Sequence, residues 1–302
     1  MSARLARLPV TPARLAATGL AAALAVAAIG SPGPARAATA PATEATAAGT
    51  GPTAAAATDW LPDLRMAQLR DFRTATSSGR RLLRLTTIIL NSGAGAFELR
   101  GSRPSTSAST MTVRQRIYNS AGGSRTIATK GQGRYAGDGH SHWHIQNVST
   151  MELLTSSGGS VVRGSKVGFC FFDTNLFYPD LPRSPGSPVY RGSGCGSQSS
   201  LTTKMGVSVG WGDKYQYSLP YQWIDITGVA SGTYTVRVIV DSQNYYTEST
   251  EGNNCSWTRI KLTSSGVQVL EHGRTCLGWE PPIELAVTPR PARPDRPLRT
   301  GP

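Results

Sequence analysis

Histidine is scarce in this sequence, with four in 302 residues, and cysteine is equally sparse. No stretch carries a sustained 3.6-residue apolar period, which excludes a helical bundle or coiled coil. No C-x-x-C pair occurs, so a cysteine-based zinc site is not expected. No run of Lys and Arg interleaves with aromatics, which argues against nucleic acid as a partner. No internal repeat is visible. The one long apolar run, Leu15 to Ile29, is short for a membrane span.

What is present divides the chain into four parts. Arg4, Arg7 and Arg14 precede that apolar run, and Ala35-Arg36-Ala37 fits a small-residue cleavage site. This order predicts a secretory signal over 1–37, hence an extracellular protein with no stable membrane span after cleavage. Residues 38–57 are mostly Ala, Thr, Pro and Gly and read as a disordered linker. Residues 286–302 read as a basic, proline-punctuated tail. Between them, 58–285 is long enough for one core. The formal charge of +13 loses four arginines with the signal and a net three with the tail, leaving a modest +6.

The folded part reads as all-β. Tyr234, Val236, Val238 and Val240 alternate with polar residues, as do Thr258, Ile260 and Leu262. Arg81 to Leu90 is apolar on both faces and reads as a buried strand. Asn91-Ser92-Gly93, Gly122-Gly123, Gly158-Gly159 and Ser231-Gly232 supply turns. The expected product is an antiparallel β-sandwich-like domain with long irregular loops and little helix. The weakly patterned region from Asp173 to Gly206 reads as loop, tied down by Cys195. An even cysteine count in an exported chain predicts two disulfides, with three pairings open. The local loops Cys170–Cys195 and Cys255–Cys276 are favoured. Each such closure stabilises by roughly 3 kcal/mol on the chain-entropy account.

Three of the four histidines fall at His140, His142 and His144. On a strand, side chains at i, i+2 and i+4 share one face, so three imidazoles would project together as a tridentate nitrogen site. Copper(II) and zinc(II) both suit such a site. Clustering on a solvated strand is the bland alternative. His272 reads as an ordinary surface residue.

These residues and their neighbours resemble the lysyl oxidase family. His140-x-His142-x-His144 is similar to its copper motif. Gly164-Ser165-Lys166-Val167-Gly168-Phe169-Cys170 resembles the stretch carrying the cofactor lysine, and Gly210-Trp211-Gly212-Asp213-Lys214-Tyr215 the stretch carrying the cofactor tyrosine. Gln222 to Thr227, Gly232-Thr233-Tyr234, and Glu248-Ser249 to Asn253-Asn254-Cys255 continue the likeness, and Leu61-Pro62-Asp63-Leu64 resembles the start of the catalytic domain.

The resemblance implies copper on the three histidines and a lysine tyrosylquinone joining Lys166 to Tyr215. It implies oxidative deamination of primary amines, peptidyl lysine or smaller, with dioxygen consumed and aldehyde, ammonia and hydrogen peroxide released. A carboxylate must take the substrate's α-proton; Asp213 is the first candidate and Asp173 the second. The resemblance further implies a calcium site from Asp63, the Leu64 carbonyl, Glu248, Asn253 and Asn254. Thr250 stands where the family has an aspartate, which predicts weakened calcium binding or none. Ser141 replaces a family cysteine, and Ile145-Gln146-Asn147-Val148 lacks the family's acidic residues, so amine preference is expected to differ. Three competing readings are a non-catalytic copper- or zinc-binding sandwich, an adhesion module with incidental histidines, and a zinc hydrolase.

Overall fold

A computed structural model of the chain describes residues 56–136, 140–166, 168–274 and 276, all within the compact unit Ala55–Pro302. The signal, the tail and nearly all of the linker lie outside the described residues. Among the described residues no helix is long and apolar enough to cross a membrane.

The strand Arg80–Asn91 is the hub. It pairs antiparallel with Leu64–Met66, Arg70–Ser77, Trp211–Tyr215 and Trp223–Asp225. Because neighbours cover both faces, its burial is nearly continuous from Leu82 onward, as its two-sided apolar sequence requires. Asn91 ends it with a buried amide that donates to the Gly95 and Val207 carbonyls and accepts from the Asp63 and Gly93 N–H groups.

A five-stranded sheet is centred on Gly232–Val240, flanked by Ser149–Leu154 and Cys255–Leu262. Val236, Val238 and Val240 are fully buried, as the alternation predicts. A seven-stranded sheet carries Gly168–Phe169, Trp143–Gln146, Ser124–Tyr135, Thr110–Asn119, Phe97–Ser102 and Thr202–Val207 in that spatial order, with Asp59–Trp60 also pairing to Thr110–Asn119. Inward residues of all three sheets, among them Leu85, Phe97, Met205, Val236 and Ile260, form one core. Each such fully buried large apolar side chain contributes roughly 1.5–3 kcal/mol.

The all-β antiparallel expectation holds, and helix is confined among the described residues to one 3-10 turn, Gly192–Cys195. Both favoured disulfides are present, Cys170–Cys195 and Cys255–Cys276. One expectation needs correction. The Asp173–Gly206 region is not wholly loop, because Thr202–Val207 pairs along its full length with Phe97–Ser102. Its sequence, TTKMGV, carries too little apolar pattern to announce a strand; its partner's register imposes one.

Candidate active site

The strand Trp211–Tyr215 builds one half of the site. Trp211, Asp213 and Tyr215 alternate onto one face, which puts the Asp213 carboxylate and the Tyr215 ring side by side in the interior. The turn entering this strand needs Gly210, whose φ of +78° is left-handed. The Tyr215 hydroxyl donates to the Cys170 carbonyl at 3.0 Å, and Cys170 is itself anchored by the disulfide to Cys195. Phe169 sets its edge against the Tyr215 ring with centroids 5.0 Å apart, and stacks on Phe171 from the other side.

Lys166 approaches from the segment joining the five-stranded sheet to Gly168–Phe169. Gly164 bridges to Ile224 and the Ser165 N–H donates to the Trp223 carbonyl, so the backbone is fixed two positions before the lysine. Its side chain is only 7% exposed, and its Nζ lies 4.4 Å from the Tyr215 ring centroid and 4.9 Å from that of Phe169. A buried ammonium over two aromatic faces is held by their quadrupoles. Two residues 49 apart in sequence thus meet as an amine against a phenol ring.

Asp213 lies beside both. It is 1% exposed, and neither carboxylate oxygen makes a hydrogen bond among the described residues. Burial pushes its carboxyl well above the usual carboxylate range; the nearby Tyr215 hydroxyl, Lys166 cation and Phe172 amide pull the other way without offsetting it. Burial, with Asp213 alongside, also raises the Tyr215 hydroxyl. Asp173, the second carboxylate candidate, is spent on structure. It accepts from the Val189, Tyr190 and Ser208 N–H groups and the Ser208 hydroxyl, which staples the loops around Val189 and Ser208 together.

The three histidines converge, with one ring nitrogen from each lying within 4.8 Å of the others. The Nε2 atoms of His142 and His144 are 2.9 Å apart. Convergence does not come from a regular strand, however. The strand runs Trp143–Gln146 and takes in only His144; His140 and His142 sit on a tight turn in which the His142 N–H donates to the His140 carbonyl at 2.9 Å. Trp143 points the other way into the core, with its indole N–H on the Ser197 carbonyl and the Arg103 guanidinium over its ring. Nitrogens from three imidazoles so close together form a donor set that fits a borderline metal ion such as copper or zinc.

Backbone pairing joins the two halves. Gly168 pairs with Gln146 and Phe169 with Ile145, so the segment after Lys166 lies directly against the histidine strand. A Cβ at Gly168 would sit 2.8 Å from the His144 Cβ and 3.0 Å from its Nδ1. Only a glycine lets that imidazole lie over the neighbouring backbone. A cleft of about 300 Å³ lined by Asn147, Ser149, Met151, Arg163 and Tyr245 opens onto Lys166.

Residues 111–272 match the lysyl oxidase family model, a segment that takes in the histidines, Lys166, Asp213 and Tyr215. The chain belongs to the lysyl oxidase family. Over 129 residues it is 36% identical to mouse lysyl oxidase homolog 4, which covers 42% of this chain and 15% of that protein. It is 30% identical over 200 residues to lysyl oxidase homolog 2 of Xenopus laevis, covering 65% and 20% respectively. With human lysyl oxidase homolog 3 it shares 32% over 131 residues, 43% of this chain and 16% of the other. The matched region therefore spans about a fifth or less of these relatives' length.

The lysyl oxidase match leaves out Asp63 and Leu64, yet the fold brings both to the predicted calcium residues. Asp63 accepts from the Asn253 amide at 3.0 Å, Glu248 accepts from the Leu64 N–H at 2.5 Å, and the Asn254 amide donates to Glu248 at 3.1 Å. The buried side-chain carbonyl oxygens of Asn253 and Asn254 have no hydrogen-bond partner among the described residues. Sequence reasoning missed two carboxylates here. Asp241 and Glu251 each bring an oxygen within 4.8 Å of the others and of Glu248, and Glu251 directly follows Thr250, where the aspartate was missed. Burial, then the other acids, pushes Glu248 up to about 9, while burial pushes Asp241 up to about 6.

Proposed function

We propose that this protein is a secreted, copper-dependent amine oxidase in which Lys166 and Tyr215 become a lysine tyrosylquinone. The observation that carries the reading is the Lys166 Nζ 4.4 Å from the Tyr215 ring centroid, one strand away from three converging imidazoles. His140, His142 and His144 would hold the metal, and bound copper supplies redox chemistry with dioxygen that zinc lacks. The chain's own groups do the rest. The Cys170 carbonyl and the Phe169 ring fix the orientation of Tyr215. Burial of Lys166, Tyr215 and Asp213 keeps water from the reacting atoms. The cleft opening onto Lys166 admits a primary amine, peptidyl or small, and Asp213 takes the proton from its α-carbon. Burial holds that carboxyl well above the usual carboxylate range, the direction in which a general base gains proton affinity.

In the same reading a calcium ion occupies the oxygen cluster of Asp63, Leu64, Glu248, Asn253 and Asn254, with Glu251 standing in for the carboxylate absent at Thr250. Oxygen ligands and crowded buried carboxylates are what a hard cation relieves.

The test is peptide mapping by mass spectrometry of protein reconstituted with copper in air. A crosslinked pair of peptides containing positions 166 and 215 is the expected result, absent in Tyr215→Phe. Separate, unmodified peptides in protein holding stoichiometric copper would rule out the quinone and favour a non-catalytic metal-binding module.

A further inference from the structure

The outer face of the seven-stranded sheet carries a feature that the oxidase reading does not use. Lys204 lies directly opposite Arg100, and Arg100 directly opposite Arg114, so three cations stand abreast across three adjacent strands. At an interstrand spacing of about 4.8 Å they span about 10 Å. Like charges opposed in this way destabilise a sheet; Glu98 offsets Arg100 and lies within ion-pair range of Lys204, so one carboxylate faces three cations and Arg114 is left unmatched among the described residues. Glu98 is the only acidic residue in these three strands, and its side chain is fully buried. It already accepts from the Tyr118 and Tyr190 hydroxyls and the Arg100 Nε. Burial acts to raise this carboxyl, and those donors outweigh it and hold it low. Its charge is therefore committed inward. Arg114 is exposed and has no ion pair among the described residues, while Lys204 lies 3.8 Å from Glu98 with half its side chain in solvent.

The three cations floor a groove of about 530 Å³, lined otherwise by small hydroxyl residues and glycines such as Ser102, Thr126, Thr202 and Gly194. One wall is the loop around Gly192–Cys195, which is held rigid from three directions. The Cys170–Cys195 disulfide ties it, Trp143 donates to the Ser197 carbonyl, and Arg103 donates to the Gln198 and Ser200 carbonyls. A wall preformed in this way lowers the ordering cost of binding.

We propose that this groove docks a linear anionic polysaccharide, with its acidic groups on Lys204, Arg100 and Arg114 and its hydroxyls against the Ser and Thr lining. Charge complementarity selects the anion, and the lining selects the polymer. The groove's own lining holds no large apolar side chain to anchor an acidic peptide. No aromatic side chain lines the groove for base stacking.

The probe is fluorescently labelled dextran sulfate, titrated against the full chain at stepped NaCl, with unsulfated dextran, polyglutamate and duplex DNA in parallel. Dextran sulfate should bind tightest and dextran not at all. Arg114→Gln/Lys204→Gln should weaken dextran sulfate binding at least tenfold and lower the salt slope by about two, one per cation removed. Arg114→Lys/Lys204→Arg should bind as the wild type, which separates loss of charge from loss of fold. Lys261→Gln/Arg274→Gln removes equal charge elsewhere and should leave the affinity within twofold. The inference is overturned if this control weakens binding equally. It is overturned too if replacing the four tail arginines by Gln abolishes binding while the groove variant retains it, or if DNA or polyglutamate binds tighter.

Discussion

Asp213 carries the sharpest chemical demand of any residue in the site. Its carboxyl is enclosed, makes no hydrogen bond among the described residues, and sits beside the Tyr215 hydroxyl and the Lys166 cation. A carboxylate serving only the fold would be tied as Asp173 is, by four donors. Asp213→Asn is isosteric and should still bind copper stoichiometrically. Its amine turnover should drop by about 10²–10⁴-fold, the range for a lost general base. Because a base works only when deprotonated, wild-type turnover should rise with pH through a limb above the ordinary carboxylate range. Steady-state rates and copper content measured across pH check both points, and an unchanged acidic limb in the variant would remove Asp213 from the chemistry.

Among the elements, the pairing of Gly168–Phe169 with Trp143–Gln146 matters most, because it lays the segment that follows Lys166 against the histidine strand. Gly168 is not there for backbone freedom; no left-handed φ is involved. It is there because any side chain would press on His144. Gly168→Ala should therefore weaken copper binding by about 10–100-fold, as displaced supports of metal ligands do. Competition titration against a chelator measures this. Gly186→Ala, where an added Cβ meets nothing within 4 Å, should leave copper affinity unchanged. Equal affinities in both variants would mean that His144 is positioned by something other than this contact.

For the whole molecule, the acidic cluster ties the start of the domain to the loop after Gly232–Val240. Asp63 and Leu64 meet Glu248 and Asn253 across some 185 residues of chain. Asp241 at about 6 and Glu248 at about 9 both stand above their ordinary values, chiefly through burial. A carboxyl raised in the folded state stabilises below its unfolded pKa and loses that contribution as pH climbs through the folded value. Chelated protein should therefore lose thermal stability from about pH 5 to pH 9. Calcium should flatten that decline by neutralising the carboxylates. Melting temperatures across pH in EDTA and in calcium test this; parallel curves would exclude the cation.

Much of the site was legible in the sequence because its parts are local. Three histidines two apart, the Asp213–Tyr215 alternation, the lysine segment ahead of Cys170 and both short disulfide loops need only a few neighbouring residues to be read. The all-β class followed in the same way from period-two patterning. What the residues could not state was anything set by a partner strand. The pairing register made Thr202–Val207 a strand, placed a tight turn rather than a strand under His140 and His142, and aligned Lys204, Arg100 and Arg114. Glu251 and Asp241 joined Glu248 only once distant loops were packed. Sequence determined the chemistry available, because residue types and short spacings fix donors, acceptors and side-chain alternation. Tertiary structure alone decided which groups meet, because contacts between residues far apart in the chain depend on sheet register and burial, and no local pattern encodes these.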